Sequence, residues 1–175
     1  MTNSHNDRIV FVPGCLLCSV YMAKKNDSRE LWRYNLLRYL NENDYSIVQL
    51  PCPESFYKAS NCGINRKPHG IKYYESLPGF NEYCAELAAK VVNQIEDFVY
   101  NGYSISAILG IEHSPTCAAS YMYTNHGTQK KQGIFIKHLA DTLEGQNISV
   151  PIVGINRRFI NKTICNLEDI KKMGS

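Results

Sequence analysis

The stretch Ser106–Cys117, with the sequence SAILGIEHSPTC, changes from apolar to polar within a few residues. Its first half is short and rich in aliphatic residues, which is typical of a buried strand. Gly110 and Pro115 mark the exit from that strand. The polar half carries a carboxylate, an imidazole, a hydroxyl and a thiol, on Glu112, His113, Ser114 and Cys117. Since reactive groups usually lie on loops held by a rigid strand, this stretch predicts a functional loop.

Two further predicted strands lead to a cysteine in the same way. Arg8–Val12 is followed by Cys15, and Ser46–Leu50 is followed by Cys52. With Cys117, three separate strands therefore each deliver a thiol just past their carboxyl ends. This repetition is the main functional signal in the sequence.

The order of predicted elements indicates the fold class. Strands are predicted over 8–12, 45–50, 105–109 and 150–155, helices over 29–41, 80–100, 129–143 and 167–173, and loops over 51–79 and 112–128. Alternation of strands and helices predicts a parallel sheet covered on both faces. We expect one α/β domain over 1–175, a three-layer α/β/α fold of flavodoxin-like or Rossmann-like form with about four strands. Residues 1–7 are expected to be disordered.

Composition argues against several classes of function. Hydrophobic content of 44% and charged content of 20% are ordinary for a globular protein, and a net charge of +3 gives no support for nucleic-acid binding. No apolar run is long enough to cross a bilayer. The first residues lack the apolar core of a signal peptide, so we expect a cytoplasmic protein that binds no membrane.

The three strand-end cysteines are candidate ligands of one metal centre. Ligands from three adjacent strand ends can converge, and ligands bind in α/β folds at the carboxyl edge of the sheet. The sequence has no local four-cysteine motif of the zinc-ribbon or ferredoxin type. Three thiolates suit a cubane iron–sulfur cluster that leaves one iron open to substrate. The alternative is that Cys15, Cys52 and Cys117 are unrelated small residues of the core.

Cys15 and Cys18 form a C-x-x-C pair, which is also found in thiol–disulfide enzymes and in half zinc sites. A redox pair of that type normally opens a helix directly, whereas the next helix is predicted to begin only at residue 29. Cys18 is also a candidate spare ligand.

Other polar residues near the cysteines are candidates for proton transfer. Glu54 follows Cys52 closely and can act as a general acid or base, or as an ordinary capping or solvated carboxylate. Ser114 and His113 flank Cys117 in the same way. The segment 65–70, NRKPHG, includes Arg66 and is either a receptor for an anionic or carbonyl group or a surface turn. The sequence contains no glycine-rich nucleotide-binding motif.

Three short motifs carry a resemblance to a known family. They are Pro13–Leu17 (PGCLL), Pro51–Glu54 (PCPE) and His113–Cys117 (HSPTC). Together they resemble the thiouracil desulfidase-related family, which has Cys-Leu-Leu-Gly, Cys-Pro-Glu and Ser-Pro-Ser-Cys-Gly at corresponding places. The resemblance covers about residues 8–155.

The resemblance implies a [4Fe-4S] cluster held by Cys15, Cys52 and Cys117. It also implies that the iron without a protein ligand takes sulfur from a thiolated small molecule, after which water completes a non-redox conversion of C=S to C=O. By position, Glu54 and Ser114 are then the nearest groups for proton transfer and hydrogen bonding.

The chain departs from the family pattern at three places. Cys18 and Ala118 stand where the family has glycine, and Val20–Lys24 (VYMAK) replaces a different family segment. These changes bear on the substrate, which need not be thiouracil. The alternative interpretation is a metal-free or zinc-containing flavodoxin-like module that binds a small molecule.

Overall fold

A four-stranded parallel sheet lies at the centre of this computed structural model, which describes residues 8–18, 21, 31–57, 69–124 and 126–173. The strands are β1 (Arg8–Pro13), β2 (Ser46–Leu50), β3 (Ser104–Ile111), β4 (Tyr121–Thr124), β5 (Gly127–Lys130) and β6 (Ile152–Ile155). The helices are α1 (Gly14–Leu17), α2 (Leu31–Glu42), α3 (Pro53–Phe56), α4 (Ile71–Glu75), α5 (Phe80–Tyr100), α6 (Ile134–Gly145) and α7 (Ile160–Met173). The parallel sheet has the order β2-β1-β3-β6.

The sheet separates two hydrophobic cores. Side chains of β1 alternate between them, so that Ile9 and Phe11 pack with α5 and α6, whereas Val10 and Val12 pack with α2 and α7. A parallel strand that is covered on both faces buries both sets of its alternating side chains. The predicted three-layer α/β/α fold with four parallel strands is therefore confirmed.

The register of the strands brings their carboxyl ends to one edge. Pro13 at the end of β1 pairs with Leu50 at the end of β2, and Ile111 of β3 pairs with Ile155 of β6. Cys15 and Cys52 each lie two residues beyond the paired Pro13 and Leu50. The segments that carry the two thiols thus leave neighbouring strands at the same level of the sheet.

The region after β3 differs from the prediction. The predicted loop over 112–128 contains β4 and the first half of β5, which form an antiparallel pair, and α6 begins at Ile134 instead of residue 129. Gly127 adopts a φ of 87° next to the turn between these strands, a conformation that glycine tolerates best. All four residues of β5 are exposed. Its sequence, GTQK, therefore lacks the alternation of hydrophobic and polar residues that would have predicted a strand.

Several other boundaries also change. The predicted loop over 51–79 includes α3 and α4, and α7 begins at Ile160, well before the predicted residue 167. Residues 58–68, which include Arg66, lie outside the described residues, as do 1–7. By contrast, α5 has the predicted bounds.

The C-x-x-C pair also has a different setting from the one expected. Cys15 lies in α1, which begins directly after β1, and the backbone N–H of Cys18 caps it by donating to the carbonyl oxygen of Gly14 at 2.9 Å. The expectation that no helix begins near this pair is therefore wrong.

No helix in the described part of the chain is both long and apolar enough to cross a membrane.

Candidate functional site

The loop after β3 folds back and places Cys117 beside the end of its own strand. The backbone N–H of Ile111 donates to the carbonyl oxygen of Cys117 at 2.8 Å, and Ser114 donates its N–H to the carbonyl oxygen of Ile111 at 3.1 Å. A methyl group added at Gly110 would lie 2.4 Å from the Cys117 carbonyl oxygen. Glycine at 110 therefore allows the close approach that returns Cys117 to the sheet edge.

The three candidate ligand cysteines are grouped at this edge. They follow β1, β2 and β3, which are adjacent in the sheet. Burial raises the pKa of the Cys117 thiol well above its ordinary value, and negative charge on Cys52, on Glu54 and on Cys15 raises it further. Cys52, Glu54 and Cys15 thus influence Cys117 electrostatically from the same edge of the sheet, and the convergence of the three thiols on one metal centre stays a prediction.

Glu54 is held by hydroxyl groups from two separate parts of the chain. It is only 7% exposed, although it lies in the single-turn helix α3 just past Cys52. Tyr74 donates its hydroxyl to Oε2 at 2.9 Å, and Thr116 donates its hydroxyl to Oε1 at 2.6 Å. Ser114 Oγ lies 3.4 Å from Oε1. The carboxylate is therefore a buried acceptor that links α3, α4 and the Cys117 loop.

Ser114 also organises the backbone that precedes Cys117. Its Oγ accepts the backbone N–H of Cys117 at 3.1 Å and that of Thr116 at 3.4 Å. Both candidate catalytic residues named from the sequence, Glu54 and Ser114, thus lie together beside Cys117.

Thr116 and Tyr74 are the members of this network that the sequence did not single out. Thr116 is fully buried and its Oγ1 also lies 3.4 Å from Cys117 Sγ. Tyr74 was within a predicted loop. The only sequence signal for Thr116 was its position next to Cys117.

Glu112 has a structural role that its sequence position did not reveal. One of its oxygens, Oε2, accepts the backbone N–H groups of Ser120 at 3.2 Å and Tyr121 at 2.8 Å. A methyl group at Gly154 would lie 1.8 Å from Oε1. The carboxylate therefore anchors the turn into β4 and packs tightly on β6.

His113 lies on the same loop but points to a different neighbourhood. Its φ is 66°, in the left-handed region, and its ring stacks on Tyr123 with 3.9 Å between centroids. Nδ1 is buried and has no hydrogen-bond partner in the described part of the chain. Burial lowers the pKa of His113, the charge of Glu112 opposes that shift, and Arg157 and Arg158 add to it.

Cys84 is a further thiol near the site. It is fully buried in α5, and burial together with the Glu54 charge raises its pKa to about 12. Its side chain belongs to the hydrophobic core that includes Phe80, Ala88 and Ile108, and not to the strand ends that carry the candidate ligands. Cys84 is therefore a structural residue of this core.

The donors at the sheet edge fit one kind of metal centre better than another. Within the described residues, no group of three or more His, Cys, Asp or Glu side chains is placed to hold a metal ion. A cubane cluster makes a different demand, because its cysteine ligands bind different iron atoms and their sulfurs need not surround one ion. Three soft thiol donors on adjacent strand ends fit that group by donor type and by topology.

A comparison with known proteins finds one distant likeness. The chain is 27% identical over 139 residues to an uncharacterized protein of Methanocaldococcus jannaschii, and the match covers 78% of this chain and 80% of that protein. No family model matches the chain. No solved structure matches it either.

Proposed function

We propose that this protein is an iron–sulfur-dependent desulfidase that converts the C=S group of a thiolated small molecule to C=O. The reaction consumes one water, releases hydrogen sulfide and involves no net oxidation or reduction. Cys15, Cys52 and Cys117 would hold a [4Fe-4S] cluster. When bound, such a cluster supplies a soft Lewis acid, an iron without a protein ligand, for the sulfur of the substrate.

The observation that carries this proposal is the buried Glu54 carboxylate beside Cys117. Purely structural cysteines need no carboxylate next to them, and burying one costs free energy unless hydrogen bonds compensate. Here three hydroxyl groups surround Glu54 at the edge where the three cysteines lie. A carboxylate held in this way has the proton-transfer capacity that hydrolysis of a thiocarbonyl needs.

In this proposal Glu54 moves protons and Ser114 orients the reacting group. Attack of water on the thiocarbonyl carbon requires a base to take a proton from water and an acid to give one to the departing sulfur. Glu54 can do both in turn. Ser114, whose Oγ accepts the N–H of Cys117 and makes only a long contact of 3.4 Å with Glu54, can donate its proton to the substrate.

We further propose a cytoplasmic location for the protein. Thiols that ligate a cluster must remain reduced, and the cytosol keeps them so, whereas oxidising compartments favour disulfides.

Anaerobic metal analysis tests the proposal. We expect protein purified without oxygen to be brown and to hold about four iron and four sulfide per chain. Replacing Cys15, Cys52 or Cys117 by alanine should each remove most of the iron. Cys84→Ala and Cys165→Ala are the matched controls, one buried and one exposed, and both should retain it.

Two results would contradict the cluster. One is anaerobic wild-type protein that holds zinc or no metal, and the other is equal iron content in all five variants. Aerobic preparations do not serve as a test, because a cluster with an open iron is lost to oxygen.

Activity is tested by measuring hydrosulfide release from 2-thiouracil, 4-thiouracil and thioacetamide. Protein loaded with iron and sulfide should release hydrosulfide from at least one of them, and protein treated with a chelator should not.

A further inference from the structure

We infer that Tyr74 and Thr116 are positioning residues that hold the Glu54 carboxylate in one orientation, each through a different oxygen. The catalytic meaning of this inference rests on the proposed function, but its structural content does not. It assigns a role to two hydroxyl groups that come from separate parts of the chain, one from α4 and one from the loop after β3.

Tyr74 provides a fixed anchor for Oε2. The side chain is 1% exposed, and its ring packs against Phe80 and Tyr73 with centroids 5.2 Å away in each case. A ring held in this way keeps its hydroxyl in one place, so the 2.9 Å bond to Glu54 Oε2 fixes that oxygen.

Thr116 provides a fixed anchor for Oε1. Its carbonyl oxygen accepts the N–H groups of Phe135 at 3.0 Å and Ile136 at 3.2 Å, at the start of α6. A methyl group added at Gly133 would lie 2.4 Å from the Thr116 carbonyl carbon, so the two backbones are in close contact. The hydroxyl that donates to Oε1 at 2.6 Å therefore comes from a locked backbone.

Counting protons separates the roles of the hydroxyl groups. A hydroxyl has one proton to donate, and Thr116 uses its proton on Glu54 at 2.6 Å. Towards Cys117 Sγ and Ser114 Oγ, each 3.4 Å away, Thr116 can only accept. Ser114 makes the long contact to Glu54, at 3.4 Å, so its proton is the one most readily turned to a substrate.

Two short anchors on opposite oxygens define the plane of the carboxylate. The terminal torsion of a glutamate side chain is otherwise broad, so loss of either anchor lets the plane rotate. Small misplacements of a catalytic group cost up to about a hundredfold in rate. We expect kcat to fall by about tenfold to a hundredfold in either variant, with KM changed much less.

The test compares variants that lose one hydroxyl each. Tyr74→Phe and Thr116→Val remove the two anchors, and Thr116→Ser retains the hydroxyl. The controls are Tyr103→Phe, at the opposite end of β3, and Thr163→Val, which loses a buried hydroxyl that binds Gly154 and Asn156. A purely structural effect of losing a buried, hydrogen-bonded hydroxyl would appear in Thr163→Val as well, whereas Tyr103→Phe removes the hydroxyl of an exposed tyrosine.

Three measurements are made on every variant: iron per chain, kcat and KM, and a crystal structure of the anaerobic protein. The substrate is the member of the 2-thiouracil, 4-thiouracil and thioacetamide panel that the wild type converts fastest. We expect normal iron content throughout, reduced kcat in Tyr74→Phe and Thr116→Val, recovery in Thr116→Ser, and a rotated Glu54 carboxylate in the crystal structures of the first two.

Failure of the inference is distinguishable from failure of the proposed function. Wild-type protein without iron or activity contradicts the function, whereas the crystal structures still test the positioning. An unmoved Glu54 carboxylate in both variants, or kcat within about twofold of the wild type, would overturn the inference. Should Thr116→Val not fold, Tyr74→Phe alone decides it, because the ring is retained.

Discussion

Two buried carboxylates at the same edge of the sheet are held in opposite ways. Glu54, just past β2, is 7% exposed, and Glu112, just past β3, is 8% exposed. Glu54 accepts hydrogen bonds from side-chain hydroxyl groups, whereas Glu112 accepts them from the backbone N–H groups of a turn.

The difference between these donors predicts different roles. A hydroxyl rotates and both donates and accepts, so a carboxylate surrounded by hydroxyls can exchange protons while it stays bound. A backbone N–H has one direction and only donates. We therefore expect Glu54 to matter for chemistry and Glu112 to matter for stability, and the predictions below test that contrast.

The largest effect is expected from Glu54→Gln. The amide keeps the shape of the side chain but cannot act as a general base, so hydrosulfide release should fall by about a hundredfold to ten-thousandfold. Iron content and the thermal midpoint should remain near wild-type values. Turnover within tenfold of the wild type would show that Glu54 does not transfer the proton.

Glu112→Ala should show the reverse pattern. The change leaves the N–H groups of Ser120 and Tyr121 without their charged acceptor. Because hydrogen bonds to charged groups are worth about 1.5–3 kcal/mol each, the free energy of unfolding should fall by about 3 kcal/mol. Urea unfolding measures it. The exposed Glu86 is the matched control, for which Glu86→Ala should change stability by less than about 0.5 kcal/mol.

Gly110→Ala examines the backbone that returns Cys117 to the sheet. The added methyl group would lie 2.4 Å from the Cys117 carbonyl oxygen, which must then move. We expect a loss of about 1–3 kcal/mol in the free energy of unfolding, together with lower iron content. Gly145→Ala, where the methyl group meets nothing within 4 Å, should be neutral or slightly stabilising. Equal stability of the two variants would contradict this packing.

The strands and the long helix could be predicted because their signals are local. Short apolar runs marked β1, β2 and β3, and the helical spacing of apolar residues marked α5 over its whole length. The hairpin of β4 and β5 could not be predicted, because each strand has only four residues, β5 is exposed throughout, and β4 buries only Met122.

The residues of the candidate site also divide into those that the sequence could predict and those that it could not. Glu54 and Ser114 were found because they lie close in sequence to strand-end cysteines. The anchors of Glu54 are distant in the chain, at separations of 20 residues for Tyr74 and 62 for Thr116, and only the fold brings them together. Glu112 looked as reactive as Ser114 in the sequence, and only the backbone of the next turn reveals its partners.

The smallest effect concerns the pH dependence that His113 contributes. Its pKa in the folded protein is lowered, mainly by burial, so the folded state resists protonation of the ring. The stability that this group contributes is therefore present above the unfolded pKa, about 6.5, and is lost as the pH falls below it. His113→Asn, which tolerates the left-handed φ of 66°, should lose less stability than the wild type between pH 7.5 and pH 5.5.

The charge of Glu112 links this last prediction to the opening contrast. Glu112 favours the protonated ring and so limits the lowering of the His113 pKa. In Glu112→Gln protein that opposition is gone, and the acid-induced loss of stability should exceed that of the wild type. Urea unfolding at pH 7.5 and pH 5.5 measures the acid-induced loss of stability in the wild type, in Glu112→Gln and in the double variant Glu112→Gln/His113→Asn. Comparison of the three proteins separates the contribution of His113 from that of Glu112. An acid-induced loss that is the same with and without His113 would show that another group causes it.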